Sequence, residues 1–288
     1  MTVSTATIRT ATEDDLRPID SVLRANHGPP PGEPAEPPGV QDPYLRHLIT
    51  RGTTAVAELD GTIIGFGAAV FTGRATHLAD LFVVPAFHGQ GTGGRLLAAV
   101  FGDRFPRTTF SSDDPRALPL YVRAGMAPLW SSLYISGDPR GLPADGDDIA
   151  VQGATLEDVA RLEAEWADVD RSPDVAFWGK HIAPRAAVVV RAGRTVAVGL
   201  SRGRLNGFGR WIDRALVAPD EDPVAPLVAL IRHGADGGDL IGASVAGPSP
   251  LLPVLLAARF RIRDQDTFMA SDPDLIEPAR ILPNTGIL

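Results

Sequence analysis

The sequence predicts an α/β (α+β) protein built from two tandem copies of one unit, each a mixed sheet flanked by helices. Three observations predict it. The chain has 288 residues, about twice a common single domain. β-rich runs alternate with helical patterns, as strand–helix crossovers on a mixed sheet require. Short similarities also recur in the same order at a nearly constant offset, so that Leu81–Pro85 (LFVVP) and Ala215–Pro219 (ALVAP) stand 134 positions apart, as do Leu118-Pro119-Leu120-Tyr121 and Leu252-Pro253-Val254-Leu255; such a period marks an internal repeat.

The elements follow in order. Ile8-Arg9-Thr10 reads as a short strand, and Thr12-Glu13-Asp14-Asp15 as a cap opening a helix. Val151 to Val159 (VQGATLEDV) repeats that opening. Gly28 to Pro43 (GPPPGEPAEPPGVQDP) is a loop, because proline lacks the helical N–H and restricts the residue before it. Its acids Glu33, Glu36 and Asp42 suit a cationic amine, but plain solubility is the favoured reading. Ala55 to Phe66 is a hairpin about Asp60-Gly61, and Val188 to Gly199 is the same shape about Gly193. Strands at Leu81–Val84 and Thr108–Phe110 are each followed by a helical pattern, Gly93–Phe101 and Pro115–Arg123, and Trp130–Ser136 is the final strand of the first copy. Gly137 to Asp148 is turn-forming and acidic. The expected organisation is therefore an N-terminal domain at 1–137, a linker at 138–147 and a C-terminal domain at 148–288.

Composition narrows the function. Hydrophobic residues at 44% and charged residues at 22% suffice for a core,. Cysteine is absent, which removes disulfides, thiolate metal ligation and cysteine nucleophiles; no metal is expected. A formal charge of −8 without a basic stripe argues against nucleic acid. No apolar run approaches a membrane span and the first residues lack a signal-peptide pattern, so the expectation is a soluble, cytoplasmic protein without a membrane partner.

Leu81 to Leu97 (LFVVPAFHGQGTGGRLL) carries the chemistry. A strand ends at Pro85, a loop supplies Gly89, Gly91, Gly93 and Gly94, and a helix starts within the glycines. Glycine lets backbone approach a ligand, and the unpaired N–H groups of a helix start converge on one spot suited to phosphate oxygens. Close packing is the plainer reading of such a turn, but four glycines in six positions waste helix propensity without a ligand. The segment is neither a Walker loop nor a dinucleotide fingerprint.

This segment resembles the signature of the GCN5-related N-acetyltransferase (GNAT) family, in which a strand ending near V-x-P is followed by Q/R-x-x-G-x-G/A at a helix start. His88-Gly89-Gln90-Gly91-Thr92-Gly93 fits, with His88 in place of Gln or Arg. Asp114 to Met126 (DPRALPLYVRAGM) resembles the family's N-x-x-A-x-x-L-Y-x-x-x-G-F segment, with Asp114 for Asn and Met126 for Phe. The resemblance covers residues 6 to 136 and implies two tandem GNAT-like acyl-CoA N-acyltransferase folds, each a mixed, mostly antiparallel sheet flanked by helices.

It further implies that acetyl-CoA is the cosubstrate. His88, Gly89, Gln90, Gly91, Thr92, Gly93 and Gly94 would hold its pyrophosphate, Leu81, Phe82 and Val83 would pair with the pantetheine arm, and Asp114, at the second motif, would also bind the coenzyme. Tyr121 is implied as general acid toward the departing thiolate, a role its ordinary pKa of about 10 permits, and the Val83 N–H as oxyanion donor. Tyr121 reads equally well as a core tyrosine, and His88 as an exposed loop histidine. For the base, His77 and Asp80 are candidates, with Glu58 third. His77 also reads as a capping or surface residue, and Asp80 faces the other way if the strand is regular.

The second copy has no glycine from Val217 to Pro226, carries Asp220, Glu221 and Asp222 there, and places Leu255 at the position of Tyr121 and Arg259 at that of Gly125. It reads as a degenerate copy. Trp166, Phe177, Trp178 and Trp211 suit a core or a cleft lining. The resulting expectation is an N-acetyltransferase acting from its first domain on a primary amine of a small molecule or peptide, as a monomer or homodimer. A non-catalytic acyl-CoA-binding sensor is the alternative, and a scaffold that binds no coenzyme is a third.

Overall fold

A computed structural model describes residues 5–26, 38–204, 209–235 and 240–288. Most of the proline-rich segment, including Glu33 and Glu36, lies outside the described residues. Contacts divide the chain into two compact units: Met1–Phe71, Ala75–Thr109 and Ile287 in one, Thr72–Arg74, Phe110–Gly286 and Leu288 in the other.

The first unit contains β1 (Thr7–Thr10), α1 (Leu16–Asn26), α2 (Asp42–Arg51), β2 (Thr53–Leu59), β3 (Thr62–Phe71), β4 (Thr76–Val83), α3 (Thr92–Phe101) and, up to Thr109, β5 (Arg107–Ser111). Its strands lie in the order β1-β2-β3-β4-β5. The first three pairings are antiparallel and β4–β5 is parallel. Thr12 and Asp15 form the expected capping box before α1, and Arg9 grips the Asp15 carboxylate at 2.8 Å, which holds that carboxyl below its ordinary pKa. Asp60 (φ 50°) and Gly61 (φ 77°) make the tight turn of the β2–β3 hairpin, both residues taking the positive φ that suits strand twist.

The core of this unit packs Leu16, Ile19 and Val22 of α1 and Leu45 of α2 on Val56 and Phe66 of the sheet, side chains worth about 1.5–3 kcal/mol each when fully buried. Helix α3 lies close on the sheet because β3 carries glycine beneath it. A Cβ on Gly65 would stand 2.9 Å from the Phe82 carbonyl oxygen and 3.3 Å from Leu96 Cδ1.

The second unit contains α4 (Ala117–Arg123), β6 (Ala127–Gly137), β7 (Ile149–Gly153), α5 (Leu156–Ala167), α6 (Ser172–Trp178), β8 (Arg185–Arg191), β9 (Arg194–Gly203), β10 (Arg210–Val217), α7 (Val224–Gly234), β11 (Ile241–Ala246), α8 (Leu251–Ala257), β12 (Arg261–Ala270) and β13 (Ile281–Leu282). Its strand order is β12-β6-β11-β10-β9-β8-β7, with β13 on β10. Among the described residues of this unit, only β10–β11 pair in parallel.

The repeat is plain in the element order, and also in the irregularities. An extra residue interrupts β4 at Ala79 and β10 at Asp213, 134 positions on. Another interrupts β3 at Ile64 and β9 at Val196. Residues 110–137, which the sequence reading assigns to the first domain, are compact with the second unit. The physical reason is strand pairing: β6 lies between β11 and β12, with both of its edges satisfied there,.

Candidate active site

The site begins where β4 leaves β5. Their parallel register covers Thr76–Leu78 against Arg107–Thr109 and stops, while β4 continues to Val83 along β3. Val84 N donates to Ile64 O at 2.8 Å. Backbone groups alternate in direction along a strand, so the N–H and C=O of Val83 point away from β3. His88 Nε2 lies 2.6 Å from Val83 O; a carbonyl only accepts, so Nε2 carries the proton. The side chain read as a plain loop histidine thus caps the carbonyl at the end of the open edge.

The loop then turns on glycine. Gly89 (φ +76°) and Gly91 (φ +77°) are left-handed, and a Cβ on either would meet nothing within 4 Å. Gly91 is the N-cap of α3 and offers no side chain to the first turn, which contains no acidic residue. The first helical bond runs from Arg95 N to Gly91 O, so the N–H groups of Thr92, Gly93 and Gly94 have no carbonyl partner within the helix and present its positive end. Gln90 is exposed and Thr92 buried. Leu96, Leu97, Val100 and Phe101 bury the opposite face of α3, which fixes that end in place.

The candidate bases separate cleanly. His77 is wholly buried, with Nδ1 3.0 Å from Thr108 Oγ1 in the closed part of the β4–β5 pair; it neither caps a helix nor reaches the surface. Glu58 is held by Arg9 at 2.8 Å. Asp80 follows the bulge at Ala79, which breaks the alternation that a regular strand would impose,. Its carboxyl accepts a hydrogen bond from Tyr44 of α2, and burial outweighs that bond and pushes its pKa up to about 6. Its Oδ2 is buried without a hydrogen-bond partner. Tyr44 was not singled out from the sequence. It packs against the cluster of Ile19, Leu45 and Phe66, and its place two residues into α2 at the end of the proline-rich run is the only hint it gave.

Residues 50–125 match the family model described as an acetyltransferase (GNAT) domain. Within the first half, the chain is thus similar to a GNAT domain over that stretch. No curated protein matches. Among solved structures, a candidate acetyltransferase from Pyrococcus horikoshii shares the fold at TM-score 0.71 and 15% identity, covering 100% of this chain and 96% of its own. A tandem GNAT protein from the clavulanic acid biosynthesis pathway aligns at TM-score 0.59 and 17% identity over 93% of this chain and 99% of its own. A GCN5-related N-acetyltransferase from Kribbella flavida aligns at 0.60 and 16% over 92% and 71%. At these identities the likeness is one of fold.

The loop, Asp80, Tyr44 and the stretch of β4 beyond Leu78 belong to the first unit, whereas Tyr121 and Asp114 belong to the second. Tyr121 is 7% exposed on α4. Asp114 is clasped by the guanidinium of Arg116, with Nε 2.8 Å from Oδ1, and also accepts from Arg116 N. The four aromatic residues of the second half do not form one cluster. Trp178 is core, Phe177 stands edge-on to His181, Trp211 meets Tyr134, and Trp166 lines an open cavity of ≈ 500 Å³ with Arg161, Arg194 and Asp220. Among the described residues no group of three or more His, Asp or Glu could hold a metal, and no helix is long and apolar enough to cross a membrane.

Proposed function

We propose that this chain is a GNAT-type acetyltransferase that transfers an acetyl group from acetyl-CoA to a primary amine of a small molecule or peptide, with the coenzyme held by the first unit. The observation that supports this reading is the stretch of β4 beyond Leu78, where its register with β5 has ended, running into the left-handed Gly89 and Gly91 at the start of α3. An edge that offers amide groups in line with a helix start that offers bare N–H groups suits an extended amide chain ending in pyrophosphate. Leu81, Phe82 and Val83 line the arm, and His88 to Gly94 receive the phosphates.

Bound there, acetyl-CoA supplies an activated thioester. The Val83 N–H faces the open side and stabilises charge gathering on the thioester oxygen. Asp80 is preferred over His77 as the base because it lies beyond the closed pair and keeps a carboxylate oxygen without a partner. Ionised above about pH 6, it attracts the cationic amine and takes the proton the nitrogen loses as the C–N bond forms and the C–S bond breaks. The role of general acid toward the departing sulfur is the one that the second-motif resemblance implies for Tyr121. Tyr121→Phe is expected to slow turnover without abolishing it, within about 10²–10⁴-fold.

Thiol release from acetyl-CoA with a panel of amines tests the reading. Turnover on any amine supports it. Tight binding without turnover on every acceptor favours the non-catalytic sensor, and no heat on titration with acetyl-CoA overturns both.

A further inference from the structure

The second half repeats the opening of the coenzyme edge and then fills it. Strands β10 and β11 pair in parallel only at Arg210–Trp211 against Ile241–Gly242. The residues of β10 that follow, Ala215, Leu216 and Val217, stand 134 positions after Leu81, Phe82 and Val83. There the edge of β10 is occupied by β13, antiparallel, with Ala215 opposite Leu282 and Leu216 opposite Ile281. Val217 N donates to Arg280 O at 2.9 Å, and Arg280 Nε and Nη2 both donate to Val217 O at 2.9 and 2.7 Å. Both backbone groups of the residue corresponding to Val83 are therefore taken by one residue of the C-terminal segment.

We propose that residues 280–282 are a built-in ligand of the second unit, seated in a coenzyme-type cleft, so that each chain takes a single coenzyme. The inference rests on the reading that the open edge of β4 receives the pantetheine arm. Leu282 is fully buried and belongs to the same core cluster as Ala215, Val217, Leu251 and Leu255, so the seat is filled by side chain as well as by backbone. Pro278 and Pro283 bracket the segment, and a residue without an N–H cannot extend the ladder, which keeps the insert short. The phosphate end is closed too. Asp222 Oδ1 accepts from Val224 N at 3.0 Å, taking an N–H at the start of α7, and Glu221 pairs with Arg191. A tethered segment competes at a high effective concentration with any free ligand of the same extended amide chemistry.

Two measurements on the full chain test this. In the wild-type protein, hydrogen exchange should show the Val217 and Leu282 amides protected both without coenzyme and at saturating acetyl-CoA, while calorimetry finds one equivalent per chain. Fast exchange at these amides without coenzyme, loss of their protection on adding it, or two equivalents each overturn the proposal. Protection at Val217 and Leu282 with no heat from acetyl-CoA keeps the seated segment but overturns the coenzyme reading of β4, and with it the description of the seat as coenzyme-type. The variant Arg280→Ala/Leu282→Ala, checked for native circular dichroism, should bind pantetheine at one equivalent more than wild type. A folded variant that gains no pantetheine site overturns the assignment of the cleft.

Discussion

Asp80 and Tyr44 set the acid side of the expected pH behaviour. A carboxyl that keeps its proton to about pH 6, against about 3.9 in an unfolded chain, makes the native state the greater proton binder between those values, so stability falls as pH rises through that window. Asp80→Asn removes the ionisation. At pH 7.5 it is expected to raise the unfolding free energy by up to about 3 kcal/mol in urea titrations, and to lower kcat/KM by about 10²–10⁴-fold. The Tyr44 hydrogen bond pulls the carboxyl down. Tyr44→Phe is accordingly expected to shift the acid limb of the kcat/KM profile upward from about pH 6 while leaving activity at pH 8 largely intact. If Tyr44 were only a packing residue, the limb would stay where it is.

Strand β4 and helix α3 work as one element pair, and glycine serves them in two ways. Gly91 needs its left-handed backbone, and the space around it is open. Gly91→Ala is therefore expected to cost about 1–2 kcal/mol through conformation alone and to raise the KM for acetyl-CoA. Gly65 needs room, since a methyl group would press on the Phe82 carbonyl and on Leu96. In the second unit the corresponding ground is taken by a buried ion pair. Arg214 stands 134 positions after Asp80 and binds Glu163 through Nε and Nη2 at 2.6 and 2.9 Å, with Arg171 3.4 Å from the same carboxylate. Arg214→Ala leaves a buried carboxylate short of its partner and is expected to destabilise by about 3–5 kcal/mol in chemical denaturation.

At the level of the whole chain, the repeat is structural and the proposed activity is single. The acids Asp220, Glu221 and Asp222 look like the reason the second half would refuse a pyrophosphate, but the edge of β10 is closed independently of them by β13. Replacing all three by glycine is therefore expected to leave the calorimetric stoichiometry at one acetyl-CoA per chain. A second equivalent appearing on that change would show that charge, and not the C-terminal segment, keeps the site shut.

Much of this was legible locally. Asp60-Gly61 and Ala192-Gly193 turn their hairpins because only positive φ joins twisted strands so tightly,; Thr12 and Thr155 cap because their side chains bond within three residues,; and the glycine run before α3 announces bare helix N–H groups. Sequence by itself determined the repeat, its hairpins and caps, and the loop that a phosphate would need, because each depends on contacts within a few residues. The tertiary structure decided the rest. The bulge at Ala79 that turns Asp80, the Tyr44 hydroxyl that reaches it from α2, the seat of β6 between β11 and β12, and the return of residues 280–282 to β10 all join positions far apart in the chain. Such pairings are set by which edges and which buried polar groups remain unsatisfied once the sheet has formed, a quantity that no local pattern records.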